Sequence, residues 1–423
     1  MKQAALFLVA AALFAQPQEP NSKPKEAEQE QLDLSRALSE AGASGIDYIR
    51  ALELHLAKYP DSKQRPEIEK ALAKAGMDAN DRARIVKYGE KVLKAEPASD
   101  DLQLMDAVIR GLLNNDDPDA ARRALVYVKM YEKALDAMRP RYAEGHMSEG
   151  QWAEQVDKGR ARAIVLEARA TGNIGNADEA LRLARLSWDT SPNAESAREI
   201  GRWLVKLGRK SEALDYYEDA FVIEDGRATE EERAKDRKRL GEIYTSLYGS
   251  EKGLGDAILA AYDRTSAAKS ARLASMKAKD PNAGANQISE FTLPSADGGE
   301  PVALSSLIGK TVVLDFWATW CAPCKIQHPM IEQIEKKYAG KDVVFLSVDS
   351  DNDRSAVAPF IKEMNWKGPI YFDAGIARLL NVSSIPTVIV LDHNGKISSR
   401  MIGFIPERFE DMLSERIEET RAN

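Results

Sequence analysis

The feature that most restricts the fold of this chain is a pair of cysteines in the run Trp320-Cys321-Ala322-Pro323-Cys324. They are the only two cysteines among 423 residues, so a scaffold of several disulfides and a four-cysteine zinc site within one chain are both excluded. An apolar, β-branched run ending in Asp315-Phe316-Trp317 precedes them, and a helical pattern from Cys324 to Tyr338 follows. Cys321 therefore stands at a helix N-terminus, where free backbone N–H groups and the helix dipole stabilise a thiolate and lower its pKa. It is the expected nucleophile. Cys324 lies one turn further on, close enough to close a small disulfide ring and to displace a substrate from a mixed disulfide. Pro323 restricts the first turn without removing a needed hydrogen bond.

Around this motif the pattern alternates strands and helices. Thr311 to Phe316 and Val343 to Val348 read as strands, and Thr387 to Leu391 with Ile397 to Ile402 reads as a hairpin turning at Asn394-Gly395. Helical patterns cover Cys324 to Tyr338, Ala356 to Met364, Ala374 to Leu380 and Glu407 to Glu419. Phe291 to Leu293 and Val302 to Leu304, separated by Asp297-Gly298-Gly299, read as an added N-terminal hairpin. The expectation for 288–423 is an α/β domain with a central mixed sheet.

The rest of the chain reads differently. Lys2 and the apolar run from Ala4 to Phe14 are too short to span a bilayer but suit a signal peptide over 1–15, with an uncleaved N-terminal anchor as the alternative. The expected location is extracytoplasmic, most simply periplasmic. Residues 16–31, rich in Pro, Gln, Glu and Lys, read as a flexible tether. From 32 to 265 apolar residues recur at helical spacing, so this segment is expected to be all-α. Gly175, Glu179, Ala180, Leu181 and Ala184 are answered by Gly208, Glu212, Ala213, Leu214 and Tyr217, 33 residues later at each position. Together with Gly201, Leu204 and Ala220 this period resembles tetratricopeptide repeats, although an array of Ala/Leu-rich hairpins needs no such ancestry. The resemblance implies a surface for an unidentified protein partner. Residues 266–287 read as a linker. A net charge of -8 without a basic tract argues against nucleic-acid binding.

Taken with its setting, the C-terminal motif resembles the TlpA/ResA-like branch of thioredoxin-fold disulfide oxidoreductases. The likeness runs from Ser289 to Glu419 and includes Phe291-Thr292-Leu293-Pro294, Leu307 to Lys310, Val312 to Trp317, Pro329 in the active-site helix, Ile385-Pro386-Thr387, and the glycines Gly395 and Gly403. It implies a cis peptide at Pro386 beside the disulfide, with Ile385 and Pro386 pairing with the bound polypeptide and Trp320 and Pro323 shaping the docking surface. It also implies clients among exported proteins and a membrane electron donor. ResA-like members often carry Glu three residues after the second cysteine; Gln327 stands there in this chain. Asp315 matches instead the buried acid of thioredoxin, where burial raises the pKa toward a proton-relay value.

Other readings of the same residues are weaker. A ring this small makes a poor structural staple. A zinc site with His328 would need a fourth ligand, and His55, His146 and His393 lie in other elements. A peroxidase would require Thr where Ala318 stands. His328 reads as a partly exposed helix residue at the rim of the site, Trp317 and Phe316 as core, and Lys325 as either a thiolate partner or a solvated lysine. The expected activity is dithiol–disulfide exchange without metal or organic cofactor. The alternative from another class is a helical scaffold whose C-terminal domain is only a recognition module.

Overall fold

The structure, a computed structural model, describes residues 24–138, 147–224 and 230–422. The expected signal segment 1–15 and tether residues 16–23 lie outside the described residues. Among the described residues the chain divides into two compact units, one drawn from Met1–Ala137 and Lys158–Tyr262, the other from Met138–Asp157 and Asp263–Asn423.

The first unit is all-α among the described residues. Its helices are α1 (Pro24–Ala41), α2 (Gly45–Lys58), α3 (Arg65–Asp78), α4 (Arg82–Ala95), α5 (Leu102–Leu112), α6 (Pro118–Met138), α7 (Glu149–Asn173), α8 (Ala177–Thr190), α9 (Ala194–Lys206), α10 (Lys210–Val222), α11 (Glu230–Tyr248) and α12 (Leu254–Lys277). The division between units falls at the last residue of α6 and within α7 and α12. Residues 24–31, assigned from composition to the tether, instead open α1. Their Glu, Gln, Lys and Ala are good helix formers, and the helix they start buries Leu34 in the core.

Two apolar clusters hold this unit together, one around Leu52, Leu72, Leu93 and Met105, the other around Ile200, Trp203, Leu204 and Leu240. The two stretches 33 residues apart occupy equivalent places on α8 and α10: Ala180 and Ala213 are both buried, as are Leu181 and Leu214. Gly175 and Gly208 each precede these helices at φ +109° and +78°, the left-handed conformation that lets one helix stop and the next begin. On α9, a β-carbon at Gly201 would lie 2.8 Å from the Tyr217 ring of α10, so a small residue sets how closely this pair packs.

The second unit is built on a five-stranded mixed sheet. Its strands and helices are β1 (Thr292–Leu293), β2 (Val302–Ala303), β3 (Thr311–Trp317), α13 (Ala322–Lys337), β4 (Val343–Asp349), α14 (Val357–Met364), β5 (Ile370–Phe372), α15 (Ile376–Leu379), β6 (Thr387–Leu391), β7 (Ile397–Ile402) and α16 (Pro406–Ala422). The strand order is β5-β4-β3-β6-β7, with β3, β4 and β5 parallel and β6 and β7 antiparallel to their neighbours; β1 and β2 form a separate hairpin. Every residue of β3 is buried, as befits a central strand covered on both faces. Leu314, Phe316 and Ile389 face one apolar cluster, while Val313, Val388 and Val390 face another with Ile331 and Leu413. Strand β5 escaped the sequence reading because three residues between Gly368-Pro369 and Asp373 carry too little alternation to register.

The segment read as a linker at 266–287 is not extended chain. Helix α12 continues to Lys277, and the remainder is folded onto the second unit. Asn282, 1% exposed, donates its side-chain amide to the Thr292 and Ala374 carbonyls and accepts from the Thr292 N–H at 2.7 Å. Asp280 accepts from Ser148 Oγ and from the Gly150 N–H, and Gln151 Nε2 donates to the Asn282 carbonyl at 3.0 Å. The polar composition that suggested a loop is therefore a set of internal hydrogen-bonding groups, and the described part of 138–157 belongs to this unit as well.

Candidate active site

Strand β3 delivers the motif to the C-terminal edge of the sheet, and α13 begins there. Cys321 is the N-cap of α13, with an extended backbone and its Sγ accepting from the Cys324 N–H at 3.3 Å. The two cysteines are joined as a disulfide with Cα atoms 5.3 Å apart, and both are buried, at 3% and 2% exposure. Pro323 lies in the exposed first turn, where its ring replaces an N–H that no helical carbonyl would accept. A thiolate released at Cys321 would sit at the positive end of the helix, which is the electrostatic requirement for a nucleophilic sulfur.

Trp320, immediately before Cys321 in the chain, is 70% exposed, a surface aromatic. The Ile385–Pro386 peptide is cis, Pro386 is buried, and its carbonyl accepts from the Gly403 N–H at 2.9 Å. Ile385 packs against the apolar cluster that contains Trp317, Ala318, Cys321 and Cys324. The fold thus packs Ile385, distant in sequence, against the apolar cluster that holds the disulfide, with the cis Pro386 next to it in the chain.

Asp315 lies on β3, paired with Ser347 of β4 and Val388 of β6, and is 3% exposed. Burial pushes its carboxyl up to about 7, against the opposing pull of a hydrogen bond donated by Gln327 Nε2 to Oδ1 at 2.8 Å. Gln327 is itself buried, and its Oε1 has no hydrogen-bond partner among the described residues. The position where ResA-like proteins often carry a carboxylate here supplies an amide that holds the acid on the neighbouring strand. Asp315 also lines a small cavity together with His328, Glu332, Glu335 and Ser347.

His328 departs from expectation. It is buried rather than at the rim, with its ring stacked on Trp366 at a centroid distance of 3.6 Å. The cause is packing: Trp366 also meets Trp317 edge-on at 4.6 Å, and Trp317 stacks on Phe360, so the imidazole completes an aromatic layer behind the disulfide. Burial pulls His328 down to about 4, outweighing Glu332, whose Oε1 is 3.4 Å from Nε2. It is neutral at physiological pH. Trp317 and Phe316 are core residues, as read from the sequence. The Lys325 ammonium sits over the Phe360 ring at 5.1 Å.

Sequence reasoning missed one part of the site. Thr319, two residues before Cys321, donates its N–H to Asp351 Oδ2 at 2.6 Å and its hydroxyl to Oδ1 at 2.9 Å. Asp351 lies just beyond β4, and its own N–H donates to Asp349 Oδ2 at 3.3 Å. Burial, reinforced by the neighbouring Asp351 carboxylate, pushes Asp349 up to about 9. The run Asp349-Ser350-Asp351-Asn352-Asp353 was the available signal, an acidic cluster at the end of a buried strand.

Comparison with known proteins agrees with this geometry. Residues 283–414 match the family model for Redoxin. Over 107 residues the chain is 36% identical to the thiol-disulfide oxidoreductase ResA of Bacillus cereus, a match covering 25% of this chain and 62% of that protein. The chain thus spans less than two thirds of that relative's length. It is 31% identical over 133 residues to ResA of Bacillus subtilis, covering 30% of this chain and 74% of the relative. Among solved structures, the exposed lipoprotein thioredoxin of Streptococcus pneumoniae is 28% identical with a TM-score of 0.28, covering 30% of this chain and 98% of that one. Through this C-terminal region, the chain belongs to the ResA-like family of thioredoxin-fold thiol-disulfide oxidoreductases.

Proposed function

We propose that the protein exchanges dithiol for disulfide with exported proteins, in the reducing direction. The observation that carries this is the Cys321–Cys324 disulfide at the N-terminus of α13, packed against Ile385 and one helical turn from Gln327, which holds the buried Asp315. Cys321 thiolate attacks one sulfur of a client disulfide, forming a mixed disulfide and releasing the first client thiolate. Cys324 then loses its proton with Asp315 as base, attacks Cys321 Sγ, re-forms the intramolecular disulfide and releases the second client thiolate. Two electrons pass from the dithiol to the client, so an electron donor must reduce the pair again. A membrane-borne dithiol donor fits the extracytoplasmic setting that Lys2 and the following apolar run suggest. Among the described residues no helix is long and apolar enough to cross a membrane.

Trp320, Pro323, Ile385 and Pro386 would form the docking surface for the client chain. The first unit would serve as a tetratricopeptide-like platform for a protein partner; the matched glycines before α8 and α10 and the Gly201–Tyr217 approach support that ancestry.

The deciding experiment equilibrates the protein in defined thiol/disulfide buffers and follows tryptophan fluorescence. A two-electron transition near the thioredoxin value of about -270 mV supports a reductant, and one near the DsbA value of about -120 mV reverses the direction. Absence of a reversible transition, with biological activity kept in Cys321→Ser, leaves the scaffold as the function.

A further inference from the structure

The three residues between β3 and Cys321 are the only chain between a rigid strand and the nucleophile, and they include the exposed Trp320. Ala318 is buried, which anchors the first of them, and the Cys321 N–H donates back to the Ala318 carbonyl at 3.0 Å. With Trp320 projecting into solvent, its direction must be set through the backbone of Thr319. Both carboxylate oxygens of Asp351 are spent on that residue, one on the N–H and one on the hydroxyl. Charge-assisted bonds of this length are among the stronger hydrogen bonds, and two from one rigid group define an orientation as well as a position. Asp351 is held in turn: the Ser350 N–H donates to the Trp317 carbonyl at 2.8 Å, and the Asp351 N–H to Asp349. Burial and the neighbouring Asp351 carboxylate push Asp349 up to about 9, while the geometry leaves both Asp351 oxygens facing Thr319.

We propose that Asp351 is a positioning residue that, through Thr319, aims Trp320 at a protein client and so selects polypeptide disulfides over small ones. This rests on the exchange activity proposed above. A client chain lying across the indole would feel any loosening of the loop, because a displacement of about 1 Å in a docking group costs rate out of proportion to its size. A small disulfide reaching Cys321 without touching Trp320 would not.

The test uses the full chain, pre-reduced, in single-turnover reaction with insulin and separately with hydroxyethyl disulfide. Asp351→Ala is expected to slow insulin reduction about tenfold while changing the hydroxyethyl disulfide rate less than about twofold. Asp351→Asn, which can still accept from the Thr319 N–H and donate to its hydroxyl oxygen, is expected to restore most of the insulin rate. Thr319→Val, which removes one of the two bonds with little change in shape, is expected to fall between them and serves if Asp351→Ala folds poorly. In a Trp320→Ala background the Asp351→Ala effect on insulin is expected to vanish, since the two act on one contact. Equal slowing on both substrates, an unchanged insulin rate, or additivity with Trp320→Ala would overturn the proposal. A wild-type protein inert toward both disulfides would instead overturn the exchange activity itself, and the proposal with it.

Discussion

At the residue scale the buried acid is the group whose charge the fold controls most tightly. Asp315 is raised from 3.8 to about 7 by burial, so the stability conferred by its neutral form is fully present below pH 4 and lost as pH rises through 7. Asp315→Asn keeps an oxygen for Gln327 and carries no charge. The variant is expected to be more stable than wild type at pH 8 by an amount on the order of 4 kcal/mol above their difference at pH 4, read from denaturant curves across that range. Asp349, raised to about 9, weakens both proteins alike as pH rises, so the comparison isolates Asp315. The same substitution should slow release from the mixed disulfide by about 10²-fold, measured by quenched single-turnover reaction. Gln327→Glu acts in the opposite sense on the acid: it replaces the donor at 2.8 Å with a second carboxyl, so one of the pair must stay protonated. The pH midpoint of exchange should move upward, and an unchanged midpoint would remove Gln327 from the proton path. Cys321 and Cys324 could be placed at the start of a helix from their spacing, whereas Asp315 was singled out by the resemblance to thioredoxin, and its burial is what the structure adds. Gln327 was visible only as a departure, because its partner 12 residues away is chosen by how α13 lies on the sheet.

At the scale of elements, legibility followed the strength of the local period. Strands β6 and β7 fell on the residues expected, with Gly395 at φ +74° in their turn, because β-branched runs flank an Asn-Gly pair. In the helical unit the 33-residue match located α8 and α10, and the charged residues of the surrounding helices were assigned no partners. Several are instead interlocked: Arg110 on α5 donates to both carboxylate oxygens of Glu195 on α9, and Arg169 on α7 bonds Glu199. No linear pattern reveals such pairs, since each joins residues at least 30 apart. The packing of α9 on α10 gives the sharper prediction. Gly201→Ala forces a β-carbon onto the Tyr217 ring and should cost about 1–3 kcal/mol, whereas Gly208→Ala meets no atom and should cost about 1 kcal/mol through its left-handed backbone alone. Adding Tyr217→Leu should recover part of the first loss and none of the second; chemical denaturation of the four variants distinguishes contact from backbone strain.

For the molecule as a whole, composition misplaced the edge of the redox unit because polar residues were taken to be solvated. Asn282 lies in a stretch of Ala, Lys, Asn and Pro that looks like a spacer, yet its side chain substitutes for a missing sheet neighbour, bonding both the N–H and the carbonyl of Thr292 at the start of β1. Its backbone carbonyl meanwhile accepts from Gln151, more than a hundred residues earlier, so the unit includes a segment that interrupts the helical unit in sequence. A true spacer would tolerate Asn282→Ala. Here the substitution strips the Thr292 N–H and the Thr292 and Ala374 carbonyls of their side-chain partner, which costs about 1–3 kcal/mol for each group left buried and unsatisfied. The expected result is a lower unfolding midpoint, together with faster hydrogen exchange at the Thr292 amide. Asn282→Asp should rescue the Thr292 amide, whose acceptor it restores, without recovering the bonds to the Thr292 and Ala374 carbonyls. If Thr292 exchanged at the wild-type rate in the alanine variant, the 278–287 stretch would be a linker after all, and the redox unit would begin where composition places it.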